Sequence, residues 1–323
     1  MSGWGVLTHV DAGPAAAESI AAAIELARAA ESLGYESFWV AQHRFGHQGG
    51  VMPSPLILLA AVAQHTTRIR LGTASIAPAF EDPRRLLEDA AVLDALSGGR
   101  LELGLGSGSS PQASAAWGFE HESRHEWHWS AVDSVLDGIR SGIGHGERLP
   151  VVPSAAGLAD RVWLTTGSAA GAQAAAARRA GLIVGRRTVD ERGPRAEDRR
   201  VAELIEQYRQ ESGSNARVAI SRPLLATTDG VLAGRLRDRE QRLRGERGKP
   251  GAPASVLIGH PDDIVAGLRD DPARGLVDHL LIHTRPLTVP PRIEIAGLEL
   301  LAERVRPEVG AIFHESPTAE IGG

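Results

Sequence analysis

Three short runs of small residues stand at the ends of apolar segments: Gly72-Thr73-Ala74-Ser75, Gly106-Ser107-Gly108 and Thr166-Gly167-Ser168. Side chains this small let a flat ligand approach the backbone, and the N–H groups of the second run could face an anion. Ser168 opens an alanine-rich helix, so Gly167 and Ser168 could offer N–H groups, a hydroxyl and a positive helix end to a phosphate. The same hydroxyl would serve equally as a plain N-cap. His43, in Gln42-His43-Arg44, follows another apolar segment and is an imidazole that titrates near neutral pH. Gly185-Arg186-Arg187 adds cations after a further one.

Two other motifs compete for attention. His121-Glu122-Ser123-Arg124-His125 fits H-E-x-x-H, in which two imidazoles one helical turn apart bind zinc. It falls in a His- and Trp-rich stretch without a strong apolar helix and lacks the G-x-x-H continuation, so no metal site is expected. The run from Gly104 to Ser109 approaches a dinucleotide fingerprint but fails at its final glycine, and no acid-terminated strand follows about 20 residues on.

The groups just described need a scaffold that presents strand ends together. Apolar runs suited to strands occupy residues 4–8, 37–41, 69–74, 101–105, 162–166, 182–184, 218–225 and 277–282. Helical patterns lie between them, over 14–33, 55–64, 169–180 and 261–270 among others. Asp82-Pro83 starts a helix with a side-chain cap and a preset φ, and Ser97-Gly98-Gly99 stops it. Strict alternation of eight strands with helices predicts an α/β fold, a (β/α)8 TIM barrel, with a doubly wound open sheet as the runner-up. Residues 109–160 are too many for a simple crossover and read as an insertion after strand 4 carrying one helix near 127–139. One barrel domain over 1–312 is expected, with a disordered tail at 313–323 and a flexible link at 245–253. Basic and acidic residues alternate over 186–200, which reads as a solvated loop and helix start.

Composition narrows the function classes. With 323 residues, 42% hydrophobic and 23% charged, the chain can bury a large core, and its net charge of −5 gives no basic footprint for nucleic acid. The absence of cysteine excludes a disulfide framework, a thiolate nucleophile and thiolate metal sites, so redox chemistry needs a borrowed cofactor. No apolar run is long enough to span a bilayer and the N-terminus is unlike a secretory leader, so a cytoplasmic protein with no membrane partner is expected.

Residues 68–111, with GTA, an acidic-Pro helix start and LDALSGGRLELGLGSG, resemble the luciferase-like, flavin-dependent monooxygenases. The likeness extends back through Leu33-Gly34-Tyr35-Glu36-Ser37-Phe38-Trp39-Val40-Ala41-Gln42-His43 and forward, more weakly, into 163–186 and 258–307. It implies FMN as cofactor, held around Ala74, Ser75, Gly106, Ser107, Gly108, Thr166, Gly167, Ser168 and Arg186. It further implies a cis peptide at Ala74-Ser75 beneath the isoalloxazine ring, the flavin phosphate at the Ser168 helix start, and proton transfer by His43. Reduced flavin and O2 would then oxygenate a small organic substrate. A separate flavin reductase would supply the reduced form, since no nicotinamide fingerprint is visible, and the protein would be a homodimer. Gln42 and Arg44 replace an acidic residue and a second histidine of the family signature, and Ser107 replaces a phosphate-holding arginine whose charge Arg186 would restore. These departures keep two alternatives open: an F420-dependent oxidoreductase on the same barrel, or a catalytically silent flavin-binding protein. Asp94, Ser97, Gly99 and Arg100 read as scaffold: an ion pair, a cap and a turn.

Overall fold

Apolar side chains of each strand alternate between two destinations, and this alternation builds two concentric layers. In the computed structural model, which describes residues 3–13, 15–144, 146–185, 188–189, 194–246, 252–253, 256–284 and 287–310, the barrel strands are β1 (Gly3–Thr8), β2 (Ser37–Val40), β3 (Arg70–Thr73), β4 (Leu101–Gly106), β5 (Val162–Thr165), β6 (Gly181–Val184), β7 (Val218–Ala226) and β8 (His279–His283). Each pairs in parallel with the next, and β8 pairs with β1 at Leu280↔Trp4 and Ile282↔Val6. The last pairing decides between the two candidate topologies: the sheet is closed. All eight strand runs read from the sequence fall on these strands.

Helices α1 (Ala16–Ser32), α2 (Pro55–His65) and α3 (Pro83–Leu96) follow the first three strands. Between β4 and β5 the insertion carries two helices, α4 (Pro111–Ala116) and α5 (Arg124–Ser141), where one was expected. The additional short helix forms because Ser110 accepts from the Ala113 N–H at 3.1 Å and Pro111 occupies the first helical position. Next come α6 (Ala169–Ala177), α7 (Pro194–Ser212), α8 (Gly230–Glu246), α9 (Pro261–Arg269) and α10 (Pro291–Leu300). A short strand, Leu257–Gly259, that the apolar pattern did not single out extends the sheet beside the outer half of β7. The expected tail at 313–323 lies outside the described residues, as does most of the expected link at 245–253, whose ends fall in α8 and in the two-residue strand Ala252–Pro253. Among the described residues no helix is long and apolar enough to cross a membrane.

The outer layer joins strand residues such as Val6, Phe38, Leu71 and Leu103 to helix residues such as Leu59, Leu87 and Val132, all at most 1% exposed. The lumen is filled separately by Leu7, Trp39, Trp163, Ile183, Ala219 and Leu281. Trp39 and Trp163 meet edge to face, with ring centroids 5.9 Å apart and planes at 87°. Each lies over a glycine registered with it on the next strand, Trp39 over Gly72 and Trp163 over Gly181. A Cβ at Gly72 would come within 2.1 Å of the Trp39 ring, and one at Gly181 within 2.4 Å of Trp163. Trp163 also donates its indole N–H to Glu102 at 2.6 Å, and Glu102 pairs with Arg70.

The α3 to β4 turn is built as its residues suggest. Asp82 caps α3 through the Arg84 N–H at 2.9 Å, and Gly98 and Gly99 take φ values of 67° and 81°. Asp94 pairs with Arg161 at 2.6 Å, and the Arg100 guanidinium gathers the carbonyls of Ala63, Thr66, Ile69 and Ser97.

Gly72→Ala should force the Trp39 ring off its seat and cost about 1–3 kcal/mol, as overpacking of a close-packed interior does. Urea unfolding followed by tryptophan fluorescence measures it; an unchanged midpoint would show that the lumen has room to spare.

Candidate functional site

At the C-terminal mouth of the barrel the ends of β2, β3, β4 and β5 enclose a cleft of about 300 Å³. His43, Ala74, Ser75, Gly106, Ser107 and Gly108 all line it, together with His9 and Thr165. This volume is at the low end of the range of about 300–1,000 Å³ usual for small-molecule sites.

The β2 end is held by a polar network. Gln42 donates its amide to the Pro53 carbonyl and to Glu81, both at 2.9 Å, and accepts from the Ala77 N–H at 3.0 Å. Arg44 pairs with the same Glu81 and lies over the Trp117 ring, 4.6 Å from its centroid. Gln42 and Arg44 thus tie β2 to the segment after β3. Between them His43 is 8% exposed, with its backbone N–H donated to the Met52 carbonyl at 2.8 Å. A Cβ at Gly50 would sit 2.3 Å from the His43 ring, so the absence of a side chain there sets where the imidazole lies.

The β3 and β4 ends are clamped together. Thr73 donates its hydroxyl to the Gly104 carbonyl at 2.8 Å and accepts from the Gly104 N–H at 2.9 Å. The Ala74-Ser75 peptide is cis, and beyond it Ile76 bridges to Leu105. Gly108 takes a φ of 70°, which turns the chain toward the Ser110 cap of α4.

Thr165, and not Thr166, reaches the cleft, because neighbouring strand residues point to opposite faces. The Thr165 hydroxyl is buried without a hydrogen-bond partner, whereas Thr166 accepts from the Ser168 N–H at 3.2 Å. Thr166, Gly167 and Ser168 lie outside the cleft lining, at the start of α6, where Ser168 accepts from the Gly171 N–H at 3.2 Å. Arg186 falls outside the described residues. A different cation stands at this helix start. Arg200, on α7, donates to the Gly167 carbonyl at 2.8 Å while pairing with Glu197 at 2.7 Å. The alternating charges that made this stretch look like a solvated face include that ion pair, and only the packing of α7 against α6 brings its cation to Gly167.

His9 and His283 were also not singled out, since each immediately follows or ends a strand run whose apolar residues carry the pattern. The His9 ring lies 5.6 Å from His43 and 5.2 Å from His283, so three imidazoles from adjacent strands meet at the mouth.

In the H-E-x-x-H segment, His121 sits in a 3-10 turn ahead of α5 and its Nδ1 is 2.9 Å from the Ser114 hydroxyl. The two histidines therefore do not share one regular helix. Among the described residues no group of three or more His, Asp or Glu is arranged to hold a metal ion. The insertion contributes differently. His128, on α5 and 2% exposed, lies near the backbone of Gly106, so the inserted helix packs against the end of β4.

Against known proteins, the family model described as luciferase-like monooxygenase matches residues 1–270. A 4-hydroxyprotoasukamycin monooxygenase of Streptomyces nodosus subsp. asukaensis is 40% identical over 88 residues, 27% of this chain and 24% of that protein. An F420-dependent glucose-6-phosphate dehydrogenase of Amycolatopsis mediterranei is 37% identical over 100 residues, 30% of each chain. The chain spans at most 41% of the length of the first curated relatives it matches. Among solved structures, the oxygenating constituent of 3,6-diketocamphane monooxygenase from Pseudomonas putida, in complex with FMN, superposes with a TM-score of 0.75 at 19% identity, over 95% of this chain and 99% of that one.

Burial, reinforced by the charges of His125 and Arg178, lowers the His128 pKa to about 4. Between that value and the ordinary one near 6.5 the unfolded chain takes up a proton that the folded protein refuses, so stability falls as pH falls. The slope from this group is about 1.4 kcal/mol per pH unit. Urea midpoints at pH 6.5 and pH 4.5 should drop less in His128→Gln than in the parent; equal drops would place the acid sensitivity elsewhere.

Proposed function

Because the chain belongs to the luciferase-like monooxygenase family, we propose that it is an FMN-dependent monooxygenase that uses reduced flavin and O2 to oxygenate a small organic substrate. The observation that carries this reading is the small-walled cleft at the barrel mouth, with the cis Ala74-Ser75 peptide on one side and an unpartnered buried Thr165 hydroxyl on the other. A flat ring with polar edges suits it: the small residues permit close approach, and Thr165 gains the partner it lacks. Bound there, the flavin supplies the electrons that activate O2.

The remaining work falls to the chain's own groups. Ala74, Ser75, Gly106, Ser107 and Gly108 form the bed for the ring, and the Gly167 N–H at the start of α6, with the Arg200 guanidinium, receives the phosphate. One oxygen atom enters the substrate and the other leaves as water, which consumes protons. His43, inside the cleft and largely shielded from solvent, is the group placed to hand one over from its imidazole. Gln42 and Arg44, engaged by Glu81, serve to hold His43 in place, so their departure from the family signature changes the scaffold around the imidazole and leaves the imidazole itself in position. A separate reductase delivers the reduced flavin, a reading supported by the description of the Pseudomonas putida protein as an oxygenating constituent. The Amycolatopsis relative supports F420 as a second reading, with hydride transfer and no need for O2.

Titrations with FMN, reduced FMN and F420, followed by oxygen uptake, separate these readings: reduced FMN should bind tightly and oxygen should be consumed. Ser168→Asp adds an anion at the helix start and should weaken FMN by at least about 1 kcal/mol while affecting riboflavin less; Arg200→Gln should act in the same direction. Equal losses for both ligands would locate the phosphate elsewhere. His43→Ala should lower product formation about 10²-fold with flavin affinity little changed; turnover at the parental rate would remove His43 from the chemistry.

A further inference from the structure

A second cavity, of about 450 Å³, opens beside the cleft between the ends of β1 and β8, under the N-terminal half of α1 and the start of α10. His9 lines both spaces. We propose that this cavity is the chamber for the organic substrate and that it selects an amine, a largely apolar molecule carrying one protonated nitrogen. The proposal rests on the flavin reading above, which places the oxygenating cofactor on the far side of His9.

Three features carry it. The first is position, since the cavity and the cleft share His9 as a lining residue. The second is an apolar wall, with Val10, Ala23, Leu26 and Val289 giving a hydrocarbon frame somewhere to pack. The third is the sign of the polar lining. Among the described residues the carboxyls of Glu18 and Glu294 face the cavity against the guanidinium of Arg239, which donates to the Thr288 carbonyl at 3.0 Å, while the Asp11 carboxylate beside them accepts from the Thr288 hydroxyl at 3.2 Å. Carboxylates and phosphates are repelled by such a lining, and a cation is attracted.

Glu294 is the anchor. It projects from α10 into the cavity with the Thr284 hydroxyl 3.4 Å away. Among the described residues the groups facing it are Asp11 from the loop after β1, His283 and Thr284 from the end of β8, Glu18 from α1 and Arg239 from α8. Burial, with a smaller push from the Asp11 charge and against the pull of the Thr284 hydrogen bond, raises its pKa to about 7. A carboxyl poised there is half-charged at neutral pH because one long hydrogen bond does not offset its desolvation. An ammonium group supplies both the counter-charge and the donors, and an alcohol supplies no charge. Amine binding therefore drives out the carboxyl proton and strengthens as pH rises through 7.

The test is calorimetric titration of the full chain without flavin, using 2-phenylethylamine, 2-phenylethanol and phenylacetate, which share one frame and differ in charge. The amine should bind at least about tenfold more tightly than the alcohol, with phenylacetate weakest, and its affinity should fall about tenfold from pH 8 to pH 6. Glu294→Gln should erase both the preference and the pH dependence, and Ala22→Phe, which fills the cavity from α1, should abolish amine binding. A parallel FMN titration of each variant, expected to match the parent, shows that it is folded. Equal affinity for amine and alcohol, tightest binding of phenylacetate, or an amine site untouched by both substitutions would overturn the assignment. Binding of FMN without the amine would refute the chamber and leave the flavin reading standing; binding of the amine without any flavin would refute the flavin reading, and with it the role of the cavity as substrate chamber.

Discussion

Trp39 and Trp163 can share the barrel lumen only because the residues registered with them, Gly72 and Gly181, carry no side chains. That constraint propagates. With the two indoles edge to face and each seated on a glycine, the strands cannot slide past one another without driving a ring into a side chain, so the pairing register is fixed from inside. Fixed register means fixed strand ends. The mouth of the barrel, where the ends of β2, β3, β4 and β5 meet, inherits its geometry from a packing decision made in the lumen beneath it.

On this base the mouth is assembled by polar ties that leave few side chains free to wander. The Thr73 hydroxyl bonds both the N–H and the carbonyl of Gly104, locking β3 to β4 where the cis Ala74-Ser75 peptide begins. Gln42 satisfies all but one of its amide hydrogen-bonding positions by joining Pro53, Ala77 and Glu81, so the segment carrying His43 cannot shift without breaking a network. The insertion packs from outside, with the buried His128 near Gly106. A cleft made this way is organised before any ligand arrives, which is what a site that must exclude water and place reacting groups requires.

The two cavities divide the labour by their chemistry. The cleft is lined mainly by small and hydroxylic groups and suits a rigid planar ring; the larger space behind His9 combines an apolar wall with carboxyls. His9 lines both spaces, and its ring lies 5.6 Å from that of His43 and 5.2 Å from that of His283.

Much of this architecture was legible in the sequence because local rules govern it. The eight apolar runs, the Asp82-Pro83 start, the Ser97-Gly98-Gly99 stop and the small residues after β3 and β4 depend on backbone preferences and on near neighbours, and all appear where those preferences place them. Other features depend on contacts between residues far apart in the chain. Closure required β8 to find β1, more than 270 positions away. Thr165 faces the cleft and Thr166 does not, a choice set by the phase of β5 against its neighbours, which an uninterrupted apolar run leaves open. Arg200 belongs to a charge-alternating helix in sequence and reaches the Gly167 carbonyl only because α7 packs beside α6. His9, His43 and His283 are unremarkable singly and meet because their strands are adjacent in the closed sheet. The sequence by itself therefore determined the elements and the chemistry available at their ends; the tertiary structure alone decided which of those ends share a cavity, since proximity across a barrel is a property of strand order and register and not of residue type.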